Sequence, residues 1–141
     1  GGMHGADRIG GLSSANGIVF GRVAGASAAL AAQKEPEAAL KADITLPQYG
    51  IATTDAERLT HSLRHTMSTY CMINRTETGL SEALQQLESL QDKAMALSKP
   101  HADDSEIAAL ARLQSQIRLA QEMVKAMRKR TESLGSHYRA D

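Results

Sequence analysis

Arg8 is the one Lys or Arg in an opening stretch that reads Gly1-Gly2-Met3-His4-Gly5-Ala6-Asp7-Arg8-Ile9-Gly10-Gly11-Leu12-Ser13-Ser14. Its guanidinium is permanently charged and presents a planar fork of donors, which suits a carboxylate bidentately. Gly10 and Gly11 stand just ahead of an expected helix start, with Ser13 or Ser14 as the N-cap. The first turn of a helix has backbone N–H groups without intrahelical partners, and the macrodipole there favours negative charge. A glycine loop with one cation at such a start can receive an anionic or electron-rich atom. The same residues also make an ordinary turn and cap, and by themselves they leave both readings open.

The other chemically capable residues read more simply. His4 is a loop histidine with a structural role. His61 and His65 lie one helical turn apart, but no Glu or His is spaced to complete a metal site, so they belong to a solvated face. Cys71 falls near an apolar stripe and reads as a packed thiol. Met67, Met95, Met123 and Met127 occupy core-like positions, and the basic run from Lys125 to Arg130 reads as a solvated helix end. In isolation His137-Tyr138-Arg139 reads as a disordered tail.

The composition narrows the function classes. Sixteen basic residues balance sixteen acidic ones in the 141-residue chain, which argues against a nucleic-acid binder built on a broad basic field and against a polybasic membrane anchor. Aromatics make up 3% of the chain, too few for base-stacking platforms or a β-sandwich core. The lone cysteine excludes an internal disulfide and fits a reducing compartment. No unbroken run of about 18 apolar residues occurs, so no membrane span is expected. The opening residues lack a signal-peptide pattern. A soluble, cytoplasmic, mainly helical chain is the expectation.

These residues need elements to position them. Residues 1–34 are rich in Gly, Ala and Ser, and residues 54–135 in Leu, Gln, Glu, Arg and Ala. Between them, residues 35–53 form a connector punctuated by Pro36, Pro47 and Gly50, where Ile44, Leu46, Tyr49 and Ile51 suit an extended segment on a surface. Ile18, Val19, Val23, Ala26 and Leu30 recur at helical spacing to about Gln33. Gly17, Gly21 and Gly25 fall on one side of that helix. Each costs roughly 0.5–1 kcal/mol against Ala in a free helix, so this face is expected to be covered.

Three further helices follow. Thr54-Asp55-Ala56-Glu57 reads as a capping box ahead of the stripe Leu59, Leu63, Met67, Tyr70, Ile73. After a break at Asn74 to Gly79 come Leu80, Leu84, Leu87, Gln91 and Ala94, ending before Pro100. Asp103-Asp104-Ser105-Glu106 opens the longest helix, with the stripe Ile107, Leu110, Leu113, Ile117, Ala120, Val124, Met127 and a stop at Gly135. These spacings predict a mainly α fold, an antiparallel three-helix bundle over residues 54–141 with its tail.

Two stretches carry a family resemblance. His4-Gly5-Ala6-Asp7-Arg8-Ile9-Gly10-Gly11-Leu12-Ser13, followed by Ile18-Val19-Phe20-Gly21-Arg22, resembles the end of the FAD domain in the succinate dehydrogenase/fumarate reductase flavoprotein family, which includes L-aspartate oxidase. Arg130-Thr131-Glu132-Ser133-Leu134-Gly135-Ser136-His137-Tyr138-Arg139-Ala140-Asp141 is similar to the family's tail. Leu63-Arg64-His65-Thr66-Met67, Gly79-Leu80 and Glu82-Ala83-Leu84 are similar to its helical C-terminal domain. The chain departs from the pattern at Asp7 and Leu12, where the family has Asn, and at Leu134, where it has Arg.

The resemblance implies that the chain is a C-terminal fragment, with residues 1–34 left over from the FAD-binding domain. The parent would transfer a hydride between a small dicarboxylate and FAD, and the fragment alone would be inactive. It further implies that Arg8 holds a substrate carboxylate, and that Gly10, Gly11, Ser13 and Ser14 contact the flavin's pyrimidine side. The tail resembles one that docks back on the flavin domain. Implied partners are the rest of the flavoprotein chain and an iron–sulfur subunit, with self-association of the fragment through its uncovered helix and no nucleic acid. Location on the cytoplasmic face of a membrane would come through partner subunits. The competing reading is a self-contained helical interaction module with residues 1–34 as a docking helix. An upstream GxGxxG strand-turn-helix unit would decide for the flavoprotein.

Overall fold

The computed structural model describes residues 11–34 and 48–141, and the chain divides into two compact units, Gly1–Thr45 and Leu46–Asp141. In the first unit the described element is α1, Leu12–Lys34. It starts one residue before the expected caps. Gly11 takes φ 87°, a left-handed conformation that glycine adopts without Cβ strain, and its carbonyl accepts from the Ser14 and Ala15 N–H groups at 3.1 and 3.3 Å. Ser13 and Ser14 therefore lie inside the first turn instead of capping it.

The apolar residues of α1 are spread around the helix, and Ile18, Val19, Phe20, Val23 and Leu30 are all exposed. Within Ser13–Lys34 the helix is long and apolar enough to cross a membrane by length and composition, its most apolar 18 residues having mean hydropathy 1.2. This corrects the expectation that no segment qualifies. That expectation counted unbroken apolar runs, whereas an Ala- and Gly-rich stretch interrupted by Ser, Asn and Arg22 still averages apolar. Buried helices of soluble proteins have the same composition.

The second unit opens with β1, Tyr49–Gly50, followed by α2, Thr53–Tyr70. Next come β2, Asn74–Arg75, α3, Glu77–Ala96, and β3, Lys99–Pro100. The chain closes with α4, Asp104–Lys129, and β4, Tyr138–Arg139. Cross-helix hydrogen bonds show the directions. Gln91 accepts from Gln121 and Met95 from Gln114, so α3 and α4 run antiparallel. Thr66 and Tyr70 meet Gln86, while Arg58 to Ser62 face Leu90 to Leu97, so α2 and α3 are antiparallel as well. The mainly α expectation is met.

The core collects the expected stripes. Leu59 and Leu63 of α2, Leu80, Leu87 and Ala94 of α3, and Leu110, Leu113, Ile117, Ala120 and Val124 of α4 are buried, joined by Ala83 and Leu90. Each large buried side chain contributes about 1.5–3 kcal/mol. Ile73 lies beyond the end of α2 and is exposed, because the chain has already turned into β2. Met67 and Met127 pack against the core, whereas Met95 and Met123 are exposed and leave the expected set. Ile51 also departs from expectation: it is fully buried, with its N–H bonded to the Glu106 carbonyl at 3.2 Å.

The helix ends follow local chemistry unevenly. Asp103 caps α4 in a reciprocal capping box with Glu106. Thr76 caps α3 by accepting from the Gly79 N–H at 3.1 Å. The expected box at Thr54 does not form. α2 starts at Thr53 behind Ala52 with no side-chain cap, and Asp55 pairs with Arg58 instead. α4 stops at Lys129, ahead of Gly135, whose φ of 56° shapes a later turn between Leu134 and His137.

Candidate functional site

Of the residues expected to bind ligands, Gly11, Ser13 and Ser14 are described, while Arg8 and Gly10, like the structural His4, lie outside the described residues. Among the described residues nothing lies within 4 Å of the Gly11 Cβ position, and the first turn of α1 has no acidic residue. That leaves a helix start with a favourable field for an electron-rich group. Among the described residues, the glycines at 17, 21 and 25 likewise meet nothing within 4 Å.

In the second unit the polar chemistry gathers where the chain after α4 folds back. His137 and Arg139 turn inward and Tyr138 outward, with the alternation of a strand. The Tyr138 N–H donates to the Ile73 carbonyl at 3.0 Å and the Ala140 N–H to the Arg75 carbonyl at 2.9 Å, pairing β4 parallel to β2. This corrects the expectation of a disordered tail. The segment is ordered because two residues distant in sequence supply its backbone partners.

His137 is buried and bridges two segments. Its Nδ1 accepts from Arg75, and its Nε2 donates to the Arg130 carbonyl at 3.1 Å, which defines a neutral imidazole protonated on Nε2. Arg75 also donates from Nε and Nη2 to the Cys71 carbonyl at 3.3 and 3.2 Å, closing the end of α2. Burial pushes the Cys71 thiol up, against a smaller pull from the Arg75 charge, so this packed thiol is a poor nucleophile.

Arg139 is the hub of the second cluster. Its side chain is 7% exposed and donates to Asp141, to Glu77, and to the carbonyls of Arg128 and Arg130 at the end of α4. Asp141 also accepts from the Glu77 N–H at the start of α3. Arg128 forks onto Glu77 from the other side. Arg139 and that N–H bring the Asp141 carboxyl down to about 2, and the Arg128 bond holds Glu77 below the usual carboxylate range. Among the described residues every buried side-chain polar atom has a partner, and the hydrogen bonds of this cluster fasten the tail.

His61 and Arg64 line an open groove of about 580 Å³ between α2 and α4 with Ala56, Ala108, Ala109 and Arg112. Both His61 and His65 are exposed, in line with a solvated face, and no group of metal-ligating side chains occurs among the described residues. Arg75 and Glu77, which organise the tail, were missed in the sequence. The available signal was the alternation of His137, Arg139 and Asp141, which puts three polar side chains on one face of an extended segment.

Comparison with known proteins matches residues 60–141 to the family described as fumarate reductase flavoprotein C-term. The chain belongs to that family. The match takes in most of α2, all of α3 and α4, and the fastened tail, so family membership rests on the bundle and its clasp. Residues before the match are covered by a relative. Over 149 aligned residues the chain is 30% identical to a subunit of fumarate reductase (CoM/CoB) from Methanothermobacter marburgensis. That alignment spans all of this chain and 27% of the relative. No solved structure matches.

Proposed function

We propose that this chain is the C-terminal part of an FAD-dependent oxidoreductase of the succinate dehydrogenase/fumarate reductase type, acting on a small dicarboxylate. The observation that carries this is the alignment of the whole chain, glycine loop included, with a protein named as a fumarate reductase subunit. When bound, FAD would exchange a hydride equivalent with the substrate. The described residues fit it. A left-handed Gly11 with no described atom within 4 Å of its Cβ position allows close approach, and a helix start free of acidic residues favours the electron-rich edge of a ring.

In this reading Gly10, Gly11, Ser13 and Ser14 lie along the flavin's pyrimidine side, and the N–H groups at the start of α1 offset negative charge there. Arg8 forks onto a substrate carboxylate and fixes its orientation. The glycine-bearing side of α1 packs into the remainder of the flavin-binding fold. The bundle braces that fold and presents the tail to it, and an iron–sulfur subunit serves as electron partner. The complete protein works in the cytoplasm or on the cytoplasmic face of a membrane through its partner subunits, and the free, buried Cys71 of this chain is compatible with a reducing compartment.

The test is steady-state turnover of dicarboxylates by the complete protein carrying Arg8→Lys or Arg8→Ala, with FAD content measured first. Lysine keeps the charge but loses the planar pair of donors, so it should not rescue. Loss of such a contact is worth roughly 1.5–3 kcal/mol, about 10- to 150-fold in catalytic efficiency. Wild-type efficiency in both FAD-loaded variants would overturn the role of Arg8.

A further inference from the structure

The segment after α4 is held in an unusual way. Its large apolar residues, Leu134 and Tyr138, are 55% and 51% exposed, and its two well-buried side chains are the polar His137 and Arg139. Apolar burial therefore contributes little to its docking. The fastening consists of the two-residue β2–β4 ladder, the His137 bridge to Arg75, the Arg139 contacts with Glu77 and with the Arg128 and Arg130 carbonyls, and the Glu77 N–H donated to the Asp141 carboxylate. Glu77 and Asp141 are themselves partly open to solvent, where ion pairs are weak and screened by salt. The core below is apolar, continuous through α2, α3 and α4, and contains no apolar residue of the tail.

We propose that residues 131–141 form an electrostatically fastened strap, keyed by Arg139, that opens as one unit while the three-helix bundle stays folded. Arg139 is the key because its guanidinium reaches Asp141, Glu77 and two carbonyls at the end of α4 at once. Opening uncovers those carbonyls and the Glu77 N–H at the start of α3, so one release exposes the ends of two helices. It also frees Arg75, whose other partner is the Cys71 carbonyl. The strap is thus a two-position element in a domain whose remaining stability is apolar. This inference concerns the second unit alone and stands apart from the proposed function.

Residue-resolved amide exchange on the 141-residue chain tests it. The Tyr138 and Ala140 N–H groups, bonded to Ile73 and Arg75, report the strap, and the Leu87 and Ile117 amides report the core. Measurements at about 0.01 M and about 1 M salt span Debye lengths of roughly 30 and 3 Å. The strap amides are expected to be protected, to exchange at least about tenfold faster than the core amides, and to lose more protection than the core in high salt. Arg139→Gln should abolish their protection while leaving that of Leu87 and Ile117 within about twofold, and Arg139→Lys should not restore it. Strap and core amides exchanging at one common rate at both salt concentrations would overturn the proposal. So would a lack of strap protection in the unaltered chain, or an equal loss at core and strap in Arg139→Gln.

Discussion

A methyl group added at Gly50 tests whether β1 is part of the folded bundle or a surface attachment. A Cβ built there lies 2.5 Å from the Ala102 Cβ, 2.6 Å from the Glu106 carbonyl carbon and 2.7 Å from the Ile107 nitrogen. Ordinary carbon contacts fall near 3.5–4.0 Å, so the overlap is about an ångström. Two of the three neighbours are backbone atoms in the first turn of α4. That turn is tied by the Asp103–Glu106 capping box and cannot retreat cheaply. The relief available is for β1 to lift away, giving up the Ile51–Glu106 hydrogen bond and the burial of Ile51. The bond is worth about 0.5–1.5 kcal/mol net and the side chain about 1.5–3 kcal/mol, so Gly50→Ala should cost roughly 2–4.5 kcal/mol. Urea unfolding followed by far-ultraviolet circular dichroism measures this directly. Adding Ala102→Gly removes the shortest contact and leaves both backbone ones, so only part of the loss should return. A Gly50→Ala protein within about 0.5 kcal/mol of the parent would refute the reasoning, because it would mean that β1 can shift without loss.

Three further predictions concern the caps, the tail and α1. Thr76→Ala removes the acceptor for the Gly79 N–H and should lower stability by about 1 kcal/mol in the same unfolding assay, whereas Thr76→Ser should retain most of it. The folded-state carboxyls of Asp141 and Glu77 lie below their ordinary values, so their contribution is present above about pH 4 and is lost as pH falls toward about 2. Unfolding midpoints followed across that range should fall less steeply in Asp141→Asn; equal slopes would show that the tail carboxylate is not coupled to folding. Gly21→Ala places a methyl on α1 where no described residue lies within 4 Å, and it should raise helicity in the 141-residue chain, by roughly 0.5–1 kcal/mol of helix stability. Reduced helicity would mean that this face already packs against something.

The helices were legible in the sequence because their determinants are local. Leu80 to Ala94 and Leu110 to Val124 repeat at three and four residues, and Asp103 and Glu106 sit three apart, so one turn of backbone satisfies both. The Thr54 box shows the limit of that reasoning, since Asp55 found Arg58 and the helix started a residue earlier. The resemblance at the glycine loop and at the tail led to the family, and the match over residues 60–141 bears it out. What only the tertiary structure decided depends on groups far apart in the chain. Ile51 is core because the first turn of α4 presents a carbonyl and a gap that admits no side chain at Gly50. The tail is ordered because Ile73 and Arg75, far upstream, offer carbonyls to Tyr138 and Ala140, and because Arg139 meets Glu77 62 positions away. No local rule ranks such pairings, since the partners become neighbours only after three helices have packed and brought the end of α4 beside the start of α3.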